Sequence, residues 1–172
     1  MDKQLPTNQR DYIRMKVGDV LMLCMEDSSV IPIQKMVESL VMIGPESLDV
    51  LRDVLSEISL RRAQVRDDQQ QVFQGFTTNM EGMGITLKSK PRMHTFFGIR
   101  PVHILNSLKK NGVQDEDIRN QCMQMLTDTR ELMYDLRSKL DLLDKIEQYL
   151  VDWTWAILYM SSHQQSGRTH LQ

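Results

Sequence analysis

Between Ile118 and Met160 the chain sets Ile118, Cys122, Met125, Thr129, Leu132, Leu136, Lys139, Leu143, Ile146, Leu150, Trp153, Ile157 and Met160 at alternating steps of four and three. Only Thr129 and Lys139 interrupt the apolar stripe. Such steps return to one side of an α-helix, so the stretch predicts one amphipathic helix with an apolar seam. At about 1.5 Å per residue one continuous helix from Val113 to Met160 is roughly 70 Å long, more than a compact domain of this size covers end to end. Another long element, or another chain, has to lie along it.

A second long element is present upstream. Pro45 opens it as a first-turn proline, and Glu46 and Asp49 stand where exposed backbone N–H groups favour carboxylates. Leu48, Leu51, Leu55 and Ile58 form its apolar face, with Val54 on the flank. After Ser59 the face thins through Arg61, Arg62, Arg66, Asp67, Asp68 and Gln69 to Gln71, yet good helix formers continue without a breaker to Gly75. Phe76 and Met80 resume the face before Gly82 and Gly84 end it. The pattern therefore predicts a helix from Glu46 to Glu81, solvated in its middle and only a partial cover for the seam.

The remaining segments are shorter. Residues 1–10, with Pro6, read as a flexible arm. Tyr12 to Met25 carries Tyr12, Ile13, Met15, Val17, Val20, Leu21, Leu23 and Cys24, interrupted by Gly18; a buried short helix is expected, although Val17 to Met25 also suits a strand. Pro32 opens a helix through Ile33, Met36, Val37, Leu40 and Val41 that ends by Gly44. An irregular basic connector spans 82–112, anchored by Phe96 to Ile99. Within it Pro101 starts a short helix through His103, Ile104, Leu105 and Leu108, and Gly112 stops it after Lys109 and Lys110. Gln114 to Asp117 begin the last helix with acid, and residues 161–172 read as a disordered tail. The expected fold is all-α, with short N-terminal helices packed on a long antiparallel helical hairpin or coiled-coil-like bundle. A chain of 172 residues, 41% hydrophobic, can fill one such domain over residues 11–160.

Charge and cysteine usage limit the function classes. A formal net charge of -2 gives no whole-molecule attraction to nucleic acid or acidic membrane. Cys24 and Cys122 lie far apart within apolar helical patterns, which predicts core thiols in a reducing compartment. Apolar runs such as Val20 to Met25 are too short to span a bilayer, and no signal peptide begins at Met1. The expected location is intracellular, nuclear or cytoplasmic, with no membrane contact.

No catalytic set stands out. There is no Gly-rich phosphate cradle and no Gly-x-Ser-x-Gly elbow, and His94, His103, His163 and His170 form no ligand pattern with the two cysteines. The expectation is a protein that is not an enzyme and takes no metal or cofactor. Its task reads as that of an interaction subunit, adaptor or scaffold. Leu132, Leu136, Lys139, Leu143, Ile146, Leu150, Trp153 and Ile157 would form the partner-binding seam, with Lys139 setting register. Tyr149, Trp155 and Tyr159 add an aromatic face, and the partner is another protein or a second copy. Thirteen methionines suit either a Met-rich core or a groove for an amphipathic segment. The alternative is contact with nucleic acid or an acidic partner through Lys88, Lys90, Arg92, Arg100, Lys109 and Lys110, a run without carboxylates in which Phe96 or Phe97 could stack on a base.

Overall fold

Proline and glycine set the helix boundaries. The computed structural model describes residues 7–42, 44–85 and 93–169, with side chains over these ranges except at 7–10, 13–14, 41, 93–95 and 164–169. Its helices are α1 (Thr7–Asp27), α2 (Ile31–Val41), α3 (Leu48–Gly82), α4 (Pro101–Lys110) and α5 (Glu116–Thr169). Among the described residues there is no strand, and the fold is all-α.

Pro32 sits in the first turn of α2, and Pro45 begins a short 3₁₀ turn leading into α3. Gly44 between them has φ +90°, a backbone region that side chains disfavour. The Ser47 hydroxyl donates to the Gly44 carbonyl at 2.6 Å and closes that turn. At the end of α4, Gly112 takes φ +69° while the Val113 N–H donates back to the Leu108 carbonyl at 3.0 Å, the usual glycine-terminated helix end. Asn111 Nδ2 then donates to the Gly84 carbonyl at 2.9 Å, tying α4 to the residues that follow α3.

Residues 12–25 are helix, the preferred reading of that segment, while two expected boundaries move. Helix α1 already begins at Thr7 inside the expected arm. Past Met160, α5 continues to Thr169. The polar composition of that stretch does not by itself stop a helix.

By its packing the chain divides into two compact units. One comprises Met1–Arg62 with Lys139–Gln172, the other Ala63–Ser138. The first part of α3 thus shares a unit with the second part of α5, and the second part of α3 with the first part of α5.

In the first unit, Val17, Leu21 and Cys24 of α1, Ile33 and Val37 of α2, Val50, Leu51, Val54 and Ile58 of α3, and Leu143, Ile146, Leu150 and Ile157 of α5 are buried. Each such side chain contributes about 1.5–3 kcal/mol relative to exposure. The guanidinium of Arg61 lies 3.8 Å from where a side chain at Gly18 would begin, so this side chain of α3 reaches α1 there.

In the second unit, Phe73, Phe76 and Met80 pack with Ile85, Phe96, Ile99, Ile104, Leu108, Cys122, Leu126 and Met133. Phe96 is the hub. Its ring meets Phe73, Phe76 and Phe97 edge-on at centroid distances of 6.1, 5.3 and 5.6 Å. The expected anchoring of the connector at Phe96 to Ile99 is therefore seen.

The middle of α3 is not solvated all round. Val65, Gln69 and Phe73 are buried, and the Arg62 side chain is 17% exposed. Ile58, Arg62, Val65, Gln69, Phe73, Phe76 and Met80 continue one stripe at steps of three and four. Two of its positions hold polar residues, which hydropathy alone assigns to water.

Candidate interaction surface

The residues of the expected seam differ in burial along α5. Leu136, Leu143, Ile146, Leu150 and Ile157 are buried by the chain itself, Lys139 and Trp153 are half-buried, and Leu132 is 53% exposed.

The expected seam holds at Cys122, Thr129, Leu136, Leu143, Leu150 and Ile157, one per heptad, but its companion positions differ between the units. In the second unit the fully buried companions are Leu126 and Met133, in one cluster with Phe96, Ile99, Ile104 and Leu108, whereas Met125 is only partly buried against that cluster and Leu132 is exposed. In the first unit Ile146 is buried, and Trp153 faces α2 across an open groove of about 480 Å³ lined by Lys35, Glu38, Ser39 and Met42. An α-helix turns past a strict seven-residue repeat by about 20° per heptad, so the companion changes as soon as the neighbours change.

Of the expected aromatic face, Tyr149 is half-buried and meets Trp153 edge-on at 6.1 Å. Trp155 and Tyr159 are 69% and 65% exposed, and Leu158 and Met160 beside them are about half exposed. Tyr159 also lies against the His163 ring, with centroids 4.2 Å apart. A second exposed apolar run, on α1, escaped the sequence reading: Tyr12, Met15, Met22 and Leu23 are each about half exposed. Steps of three and four from Tyr12 through Met15 to Met22 were the available signal, hidden because the same helix also supplies core residues at similar steps.

The basic connector is less complete. Lys88, Lys90 and Arg92 lie outside the described residues, while Arg100, Lys109 and Lys110 are exposed. Phe96 is fully buried and out of reach of any base. Phe97 is already covered, with Tyr134 at 4.7 Å between ring centroids and the Arg137 guanidinium 5.7 Å from its own. The Arg130 guanidinium donates to the Ile99 carbonyl, holding the connector on α5.

Cys24 and Cys122 are buried free thiols, and desolvation pushes both above the ordinary thiol value. Cys122 Sγ lies 3.4 Å from Met83 Sδ. Among the described residues, no three His, Cys, Asp or Glu side chains converge as metal ligands would, and no helix is long and apolar enough to cross a membrane. Comparison with protein-family models, with curated proteins and with solved structures gave no match.

Proposed function

We propose that the protein is a noncatalytic interaction subunit, adaptor or scaffold, and that it meets its partner through the outward side of α5 between Trp155 and Met160. The supporting observation is the placement of Trp155 and Tyr159, two large rings one helical turn apart. Both project into solvent from a helix whose opposite side already fills the core. Trp and Tyr dominate binding energy at protein interfaces more often than other residues, since each covers about 150–250 Å² with few rotors to freeze. Leu158 and Met160, about half exposed, add apolar surface next to the two rings, and contiguous exposed apolar surface often marks an interaction site. The partner is another protein or a second copy of the chain.

A photo-crosslinking residue in place of Leu158, in the full chain expressed in its native cells, tests this. One saturable crosslinked species is expected, either a single other polypeptide or a covalent dimer. It should disappear when Trp155→Ser and Tyr159→Ser are combined, with the far-ultraviolet circular dichroism unchanged. A crosslinking pattern that ignores the double substitution, or a chain that crosslinks to no protein at all, overturns the proposal.

A further inference from the structure

We infer that the outward side of α1, from Tyr12 to Asp27, docks a cationic amphipathic helix belonging to another protein. The α5 patch of the proposed function is a separate surface, and the two stand or fall separately.

Helix α1 is apolar on two sides. Val17, Leu21 and Cys24 are buried in the first unit, whereas Tyr12, Met15, Met22 and Leu23 lie about half exposed on the other side. A helix with apolar residues all round is ordinarily covered all round, and here, among the described residues, the covered ones lie on one side. Tyr12, Met15, Asp19, Met22 and Glu26 recur at steps of three and four, with Leu23 beside Met22, so a helix is the matching shape.

Charge selects the occupant. From Asp19 to Asp27 the charged residues are Asp19, Glu26 and Asp27, all exposed, and none is basic. Lys16 belongs to the other end, where its ammonium lies 5.6 Å from the centre of the Tyr12 ring. Glu26 and Asp27 occupy the last turn of α1, where the helix dipole disfavours carboxylates, and no basic residue stands in that turn. A partner with Lys or Arg flanking its apolar stripe supplies the missing cations, while the flexible thioethers of Met15 and Met22 conform to its side chains. An acidic helix, or a second copy with the same excess of acid, would set like charge against like.

The probe is a dye-labelled amphipathic helix of leucine and lysine, titrated by fluorescence anisotropy against the full chain. Its leucine and glutamate counterpart and a scrambled peptide without an apolar side serve as comparisons. The Leu/Lys helix should bind saturably, at least about tenfold tighter than either comparison, and more weakly as salt rises. Met22→Ser with Leu23→Ser should weaken it about tenfold, as should Asp19→Asn with Glu26→Gln and Asp27→Asn. The second variant leaves the apolar contacts untouched, so it reads the same interaction without disturbing the fold. Trp155→Ser with Tyr159→Ser should leave this binding unchanged. Equal binding of the Leu/Glu helix, indifference to both α1 variants, or loss in the α5 variant alone overturns the inference. So does a wild-type dimer by sedimentation that becomes monomeric on Met22→Ser with Leu23→Ser, since the occupant is then a second copy.

Discussion

Arg62 on α3 and Glu147 on α5, 85 residues apart in the chain, are joined through Nη2 of the guanidinium and Oε2 of the carboxylate. The same Nη2 reaches Asp144 Oδ1 at 2.9 Å, and the buried Nε has no hydrogen-bond partner among the described residues. A largely buried cation is thus held from one side only. Desolvating a charge offsets most of what its ion pair returns, and removing one partner alone costs more than replacing the pair by apolar groups.

Arg62→Met keeps the packing of the long side chain and removes the charge. Its stability should lie within about 1 kcal/mol of wild type, or above it. Arg62→Ala loses the stem as well and should fall by about 1–3 kcal/mol. Urea unfolding of the two variants separates these terms.

The shift of the seam companion makes Leu132 and Met133 opposite cases. Met133 is buried and Leu132 is 53% exposed. Met133→Ala should cost about 2–5 kcal/mol, and Leu132→Ser should stay within about 0.5 kcal/mol. A reversed order in urea midpoints would restore the unshifted seam.

The two thiols link stability to alkaline pH. Burial is the main cause of the upward shift in both; at Cys24 a backbone hydrogen bond from Ile33 works against it and the Asp27 charge adds to it. A thiol with a higher pKa folded than unfolded contributes fully below the unfolded value near 8.5, and that contribution is lost as pH rises through the folded value. Stability should therefore fall from about pH 8.5 upward, less steeply in Cys24→Ala. A thiol reagent at neutral pH should modify both cysteines only as the chain unfolds.

Gly112 tests the end of α4. No atom crowds a side chain placed there, so the cost of Gly112→Ala comes from its φ of +69° alone. Thermal melts should show a loss of about 1–2 kcal/mol. Gly75→Ala, mid-helix in α3 with equally open space, should instead gain about 0.5–1 kcal/mol.

The sequence by itself determined the helices and where most of them stop. Pro32, Pro45, Pro101 and Gly112 act through their own backbone restrictions, and the run of steps from Ile118 to Ile157 requires a helix whatever surrounds it. Only the tertiary structure decided which residues those helices hide. Arg62 and Gln69 sit on the buried side of α3 although their polarity argues for water, because burial belongs to a position on a face and not to a residue type. Met133 displaces Leu132 in the same way. Adjacent residues lie about 100° apart around a helix, and the neighbour that packs on one of them is brought from elsewhere in the chain, beyond the reach of local periodicity. The same holds for α1 and for the end of α5, where apolar residues on two sides of a helix look alike in sequence until one side is found covered and the other bare.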